Sequence, residues 1–423
     1  MKKKILLISI ALSFAVVFYD WLRMTSFSSD WVRYIRHFNH LASLFGFVLM
    51  FYLFIFSSKM RLIEKNIGLD NMLAIHKHIG MGAVILLTLH PLLLFLHELI
   101  VFNSLRMMWA RWIGLIALVI IWLTSITALY FKKLKMRYEA WKYIHYVNYL
   151  VFPFVLIHVF FNATFNTVTY YLWVVYGICF FVIFAHKIYS VYKIRKNPYT
   201  LADIKENNTI WTLEFKGKAI DHLPGQFLYV QLAGRHSIFQ SNPFTIVSSP
   251  TFENIMISMK ELGDLTSQAK DLKLGDTAYI DAPYGVFSYK LYDSDNLVFI
   301  AGGIGITPYL SMLRYMKDND DVHSNVILIW GNQSENDLIF LDELEKYEKI
   351  LKNFRMILVM SDQDDWPGNK GFIDKELIQK YIDEPRSYKF LICGPKPLLQ
   401  LMKEDLKALG VEKKDIHYES FDF

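Results

Sequence analysis

Cysteine is nearly missing: 423 residues contain two, Cys179 and Cys393, far apart and in stretches of different character. They cannot build a disulfide framework, a structural zinc site or a thiolate iron–sulfur cluster. No Cys-x-x-Cys-His occurs, which excludes covalent haem attachment. No run of alternating aspartates ends in glutamate, so there is no calcium loop of the EF-hand kind. Charge of one sign is also lacking: 45 Lys and Arg against 40 Asp and Glu leave a formal +5, and the basic residues gather beside the ends of apolar runs. That placement suits membrane orientation and argues for no nucleic-acid partner.

Long apolar runs, by contrast, are abundant, and all lie in residues 1–192, whereas residues 200–423 read as an ordinary soluble domain. A bilayer core of about 30 Å takes roughly 20 apolar residues in a helix. Candidate spans cover residues 5–22, 38–57, 73–97, 110–131, 142–162 and 169–190. The first follows Lys2, Lys3 and Lys4 as a signal peptide would, but Asp20-Trp21-Leu22-Arg23 stands where a small-residue cleavage site belongs, so it is expected to be a retained helix. Basic clusters at residues 2–4, 59–65, 132–137 and 187–196 alternate with less basic turns, with Arg106 and Arg111 diluting the contrast. The positive-inside rule then places both termini in the cytoplasm, in the cell membrane of a multi-pass protein. Spans three and five run parallel, from inside to outside.

Nine of the thirteen histidines fall in residues 1–192. His76 and His90 are fourteen apart on span three; His145 and His158 are thirteen apart on span five. Fourteen residues of helix rise about 21 Å and return to within about 40° of the same face. Two parallel helices so equipped offer one imidazole pair near each membrane surface, and each pair can clamp a haem iron axially. Thirteen residues leave the second ring about 140° off, and Pro153, which removes a backbone donor between the two, is the expected place of a corrective distortion. The competing reading makes these rings interface histidines that cap helix ends or bond to neighbouring carbonyls. His78 lies about 160° around the helix from His76.

The six-span unit, the two histidine pairs and the His76-Lys77 dipeptide resemble the ferric reductase transmembrane family, which includes the NADPH oxidases. The resemblance implies two b-type haems, His76 and His145 holding the inner one and His90 and His158 the outer one, with Arg36 as a basic residue near the latter.

From Asn197-Pro198 onward the pattern changes to short strands and turns. Residues 199–293 carry strand-like runs such as 227–232 and 277–280 between Gly and Pro, the pattern of a small antiparallel barrel. Residues 294–423 alternate strands (297–301, 325–330, 354–360, 389–393) with helices, as in a parallel sheet covered on both faces. The segment Ala301-Gly302-Gly303-Ile304-Gly305-Ile306-Thr307-Pro308 follows a strand and opens a helix, where backbone N–H groups and the positive helix end meet a dinucleotide pyrophosphate.

Together with Pro224-Gly225-Gln226-Phe227, Asn242-Pro243-Phe244-Thr245, Lys260-Glu261-Leu262-Gly263-Asp264-Leu265-Thr266 and Cys393-Gly394-Pro395, that segment resembles the ferredoxin–NADP reductase superfamily. The resemblance implies FAD held along Phe227, Asn242, Pro243, Phe244 and Thr245, with the Phe244 ring on the isoalloxazine and the Thr245 hydroxyl at its reactive nitrogen. Asn242 stands where the oxidase branch usually has His. Lys260, Gly263 and Thr266 would meet the FAD pyrophosphate. Gly302, Gly303, Gly305, Thr307 and Pro308 would meet that of NADPH, and Cys393, Gly394 and Pro395 the nicotinamide. Relatives end with an acidic residue two before an aromatic that covers the flavin; in Glu419-Ser420-Phe421-Asp422-Phe423 that spacing selects Phe421, with Phe423 second. Thr245, Cys393 and Phe421 are thus the expected catalytic residues. Residues 331–337 contain no Arg for a 2′-phosphate, so the resemblance favours NADPH while local chemistry admits NADH.

The fold expected is a multidomain membrane protein: a six-helix transmembrane bundle (1–196), a cytosolic FAD-binding antiparallel β-barrel (197–293) and an α/β nucleotide-binding domain (294–423). Electrons would pass from NADPH through FAD and the haems to oxygen, giving superoxide. A ferric or cupric reductase acting on a metal chelate, and a haem subunit serving an extracytoplasmic partner, are the alternatives within electron transfer. A transporter with a regulatory nucleotide-binding tail is the non-enzymatic one. The resemblance is closest to bacterial NADPH oxidases, which implies activity in the lipid bilayer without an obligatory regulatory subunit.

Overall fold

The structure, a computed structural model, describes residues 2–25, 30–105, 108–136, 138–162, 167–233, 242–261, 266–292, 294–320 and 325–420. The chain divides into two compact units, Met1–Tyr192 and Lys193–Phe423, each with its own buried core.

The first unit is helical: α1 (Lys2–Met24), α2 (Trp31–Ser57), the short α3 (Arg61–Ile67), α4 (Leu69–Phe102), α5 (Trp109–Tyr130), α6 (Tyr138–Tyr146), α7 (Asn148–Asn162) and α8 (Thr167–Lys196). Six stretches are long and apolar enough to cross a membrane, α6 and α7 together making the fifth. Their outward faces carry exposed Leu, Ile, Val, Phe and Trp, a surface that only lipid covers without penalty. Lipid is as apolar as leucine, so burial adds little here and close packing must hold the helices together. Phe51 stacks on Tyr176 at 3.7 Å, Phe47 meets Trp173 edge-on at 4.4 Å, and Phe152 stacks on Phe180 at 4.6 Å. Polar pairs cross between helices: Thr124 donates to Asn148 Oδ1 at 3.0 Å, and the Thr169 hydroxyl donates to the buried Asp20 carboxylate.

The second unit opens with an antiparallel sheet of β1 (Tyr199–Asn207), β2 (Ile210–Lys216), β3 (Phe227–Leu232), β4 (Asn242–Thr245), β5 (Ile255–Lys260) and β6 (Thr277–Tyr284), in the order β4-β3-β6-β1-β2-β5. A bridge between Ile246, just past β4, and Ile257 within β5 joins the two edge strands and closes the sheet into a barrel. Side chains alternate: Ala278, Ile280, Ala282 and Tyr284 of β6 point inward between half-exposed neighbours.

The nucleotide layer then runs β7 (Asn296–Gly302), α9 (Thr307–Asp318), β8 (Asn325–Asn332), α10 (Leu341–Ile350), β9 (Phe354–Met360), β10 (Asn369–Lys370), α11 (Lys375–Tyr381), β11 (Lys389–Gly394), α12 (Lys396–Ala408) and β12 (Ile416–Ser420). Its strands are parallel, in the order β10-β9-β8-β7-β11-β12. Leu297, Val298, Phe299, Ile300 and Ala301 are all fully buried, as a strand covered by helices on both faces must be. The chain winds one way from β7 to β10 and the other way from β11, so a crevice opens at the C-terminal ends of β7 and β11.

His417 on β12 stacks on Tyr292 with ring centroids 3.6 Å apart, and burial, reinforced by Lys389, pushes its pKa from 6.5 down to about 4. An imidazole that titrates lower when folded stabilises the fold above its unfolded pKa, and that stability is lost as pH falls from 6.5 toward about 4. The second unit should therefore melt at lower temperature as the pH is taken down through that window. His417→Phe, which keeps the stack, should flatten the dependence in differential scanning calorimetry; an unchanged slope would remove His417 as its source.

Candidate functional site

In the helical unit the four histidines form two pairs. The rings of His76 and His145 lie 6.1 Å apart, and those of His90 and His158 lie 6.2 Å apart, centre to centre. Neighbouring helices orient them. Nδ1 of His76 meets the Leu53 carbonyl at 3.1 Å and Nδ1 of His90 meets Asn39 Oδ1 at 2.5 Å, both on α2; Nδ1 of His158 meets the Ala110 carbonyl at 2.8 Å. A carbonyl oxygen only accepts, so each Nδ1 carries the proton and each Nε2 keeps its lone pair for another partner. Gly114 makes room for His158: a methyl there would sit 2.6 Å from its Nδ1. His78 turns away and bonds to its own helix at the Ala74 carbonyl.

The thirteen-residue interval is reconciled with pairing at a different place from the one expected. The helix runs on through Pro153, and the break falls at Val147, between α6 and α7. There Val147 N bonds to Ile144 O at 3.1 Å and Leu150 N to Val147 O at 2.9 Å, both i→i−3. Such tight turns advance about 120° per residue instead of 100°. Three or four residues so wound recover about 60–80° of the missing 140°, which brings the offset down toward the roughly 40° of the fourteen-residue pair.

In the second unit, β3 and β4 pair with Phe227 opposite Thr245, Leu228 opposite Phe244, Tyr229 opposite Pro243 and Val230 opposite Asn242. Phe244 packs against the barrel core. Thr245 is buried, and its Oγ1 has no hydrogen-bond partner among the described residues. Phe227 stacks with Tyr284 at 6.0 Å, beside Gly285, where a methyl would meet the Phe227 ring at 3.0 Å and Glu419 Oε1 at 3.4 Å. Glu419 lies opposite Cys393 in the β11–β12 ladder, and both are buried. Phe227, Thr245, Cys393 and Glu419 therefore converge where the barrel meets the parallel sheet. Glu419 was visible in the sequence only as a spacing mark before Phe421. Its carboxylate and burial push the Tyr292 hydroxyl up to about 12, burial contributing most.

The glycine-rich segment forms the floor of the crevice. Gly303 has φ +55°, and its carbonyl accepts from Trp330 Nε1 at 2.9 Å. A methyl at Gly305 would lie 2.3 Å from the Cys393 carbonyl oxygen, and one at Gly302 would lie 2.9 Å from Pro395 Cδ and 3.7 Å from Gly394 Cα. Thr307 and Pro308 open α9, with Thr307 Oγ1 bonded to the Ile304 carbonyl at 3.1 Å. Gly302, Gly303, Gly305, Thr307, Pro308, Cys393, Gly394 and Pro395 are thus brought together at the ends of β7 and β11. Thr266 begins a short 3-10 helix, Thr266–Asp271, beyond β5. Lys260 lies 3.5 Å from Asp337 of the nucleotide layer. Gly263, Phe421 and Phe423 lie outside the described residues. Sequence patterns did not single out Asn332, at the end of β8: its amide is buried and both polar atoms lack partners among the described residues.

Comparisons with known proteins divide the chain in the same way. Residues 42–157 match the ferric reductase like transmembrane component, residues 202–288 an FAD-binding domain, and residues 299–404 an oxidoreductase NAD-binding domain. NADH-cytochrome b5 reductase 1 of Mycosarcoma maydis is 29% identical over 194 residues, 45% of this chain and 60% of the relative. The plasma membrane-associated coenzyme Q6 reductase PGA3 of Saccharomyces cerevisiae is 27% identical over 249 residues, 55% of this chain and 80% of the relative. Among solved structures, the flavohem-like FAD/NAD binding domain of nitric oxide dioxygenase from Vibrio cholerae matches 53% of this chain and 98% of that domain, at 20% identity and a TM-score of 0.48.

Proposed function

We propose, from the premise that this chain has the ferric reductase/NADPH oxidase architecture and is a multi-pass membrane oxidoreductase with FAD- and NAD-binding domains, that it is a transmembrane NAD(P)H oxidase. Electrons from cytosolic NAD(P)H would pass by way of FAD and two b-type haems to oxygen at the outer face. The sum balances as NAD(P)H + 2 O2 → NAD(P)+ + H+ + 2 superoxide. The observation that carries this reading is the pair of histidine pairs, 6.1 and 6.2 Å between ring centres. Two imidazoles bound to one iron, with metal–nitrogen bonds of about 2 Å, have ring centres about 6.2 Å apart.

When bound, the flavin accepts a hydride's electron pair and delivers single electrons, which is what haem iron can take. The chain supplies orientation. His76 and His145 would hold the inner haem and His90 and His158 the outer one, with the tautomers of His76, His90 and His158 set by Leu53, Asn39 and Ala110. The buried Thr245 hydroxyl, without a partner among the described residues, would meet the flavin, Cys393 and Glu419 would flank the nicotinamide, and the N–H groups of residues 302–307 would cradle the pyrophosphate. The loop after β8 carries Glu335 and Asp337 and no arginine, so a 2′-phosphate gains no guanidinium there and NADH serves alongside NADPH.

Purified protein given NADH or NADPH should reduce cytochrome c in a manner abolished by superoxide dismutase, and should contain two haems and one FAD per chain. Reduction that ignores the dismutase would replace the oxidase by a metal reductase, the same path with a chelated ferric or cupric acceptor. Protein without porphyrin would end both readings.

A further inference from the structure

Arg314 lies on α9, the helix that opens at the glycine-rich segment, and it takes no part in the site described above. It is 17% exposed, and its planar fork reaches in two directions. Nε and Nη2 donate to the two carboxylate oxygens of Glu343 on α10, each at 2.7 Å, and Tyr347 donates to the same carboxylate at 2.5 Å. Nη1 donates to the Val247 carbonyl at 2.8 Å. Val247 is the second residue after Thr245, so this bond ties the nucleotide layer to the continuation of the flavin strand.

Two neighbours on the helix repeat the connection. Ser311 Oγ donates to the Ser248 carbonyl at 2.9 Å, and Asp318 Oδ2 accepts from Thr251 Oγ1 at 2.5 Å. Positions 311, 314 and 318 share one helical face, and they grip residues 248, 247 and 251 in turn. A second seam joins the same two layers elsewhere: Asn208 Nδ2 donates to the Asn336 carbonyl at 2.8 Å, and Lys260 meets Asp337. A shared apolar core, in which Val247 and Phe287 pack with Tyr309 and Met312, also joins them, so loss of the first seam would leave the layers attached while relaxing their relative setting. The ion pair engages Glu343; the third donor reaches instead a backbone carbonyl two residues past Thr245.

We propose that Arg314, held by Glu343, is a positioning residue that sets the approach of the nicotinamide to the flavin. The inference rests on the oxidoreductase reading above. Misplacement by about 1 Å can cost a hydride transfer on the order of a hundredfold, because reacting atoms must meet at about 3–3.5 Å. Lysine cannot replace the residue, since one ammonium cannot span the bidentate carboxylate and the carbonyl together.

The test is anaerobic stopped-flow reduction of the flavin by NADH in the full-length, FAD-loaded protein, with nicotinamide-deuterated NADH in parallel. Arg314→Leu should slow flavin reduction at least about tenfold and raise the primary isotope effect. FAD content and the half-saturating NADH concentration should stay within about twofold, because both binding segments remain intact. Arg314→Lys and Ser311→Ala should slow it less, with the same isotope signature, and they decide the matter if Arg314→Leu does not fold. FAD-loaded variants that reduce at the wild-type rate and isotope effect, whatever their melting temperature, would show Arg314 to be a structural tie only. Wild-type flavin that neither NADH nor NADPH reduces would instead overturn the functional reading itself, and this inference with it.

Discussion

Alanine at His90 or at His158 should lower the haem content from two to one per chain and extinguish dismutase-sensitive oxygen reduction, while NADH still reduces the flavin. Each ring is one of a pair 6.2 Å apart, centre to centre. Loss of a residue proposed to hold the haem should cost at least as much as loss of the groups that orient it, about 10–100-fold. Asn39→Ala makes the graded companion. It leaves His90 in place but removes the oxygen that fixes its tautomer at 2.5 Å, so the outer haem should be retained about tenfold more weakly. Pyridine haemochrome analysis against protein concentration reads both outcomes. Two haems per chain in His90→Ala or His158→Ala would mean that the pairing is wrong.

Gly305→Ala should all but abolish flavin reduction by NADH and NADPH, while dithionite still reduces flavin and haem. The added methyl would lie 2.3 Å from the Cys393 carbonyl oxygen, 2.8 Å from its carbon and 3.1 Å from Gly394 Cα. All three are backbone atoms of β11, so no side chain can swing aside, and the crevice must open where the nicotinamide is proposed to lie. A loss of about a hundredfold corresponds to roughly 2.7 kcal/mol at the transition state, a modest demand on so close a contact. Gly303→Ala is the control. At Gly303 a methyl would touch no protein atom within 4 Å, so within the protein only its φ of +55° penalises the change, by about 1–2 kcal/mol, and any loss beyond that reports contact with the proposed pyrophosphate. If Gly305→Ala reduces its flavin as fast as Gly303→Ala, the dinucleotide does not use this crevice as proposed.

The spans, the barrel strands and the parallel sheet could be read from the sequence because each depends on local periodicity: unbroken apolar runs, alternation in β6, buried Val/Ile/Leu runs in β7. The glycine-rich segment was legible for the same reason, being a strand, a turn and a helix start within a dozen residues. Glu419 and Asn332 were not, since their meaning comes from β12 pairing with β11 and from β8 ending at the crevice. Periodicity tells which face a residue occupies and says nothing of what it will meet there. Arg314 looks like any helical arginine until residues 247 and 248 are laid along α9. The irregularity of span five was legible in kind but misplaced. Proline advertises a disturbance, whereas the tight turn at Val147 has no glycine or proline to mark it.

That turn bears on how proposed ligand pairs of this kind are recognised at all. What a porphyrin clamp constrains is the angle and height between two rings, and a chain can meet the same demand with fourteen regular residues or with thirteen and a twist. Counting letters between histidines is therefore a poor search key. A residue inserted at the Val147 junction, relaxing it to regular helix, should be better tolerated than one inserted among residues 149–157, where it would swing His158 by about 100°.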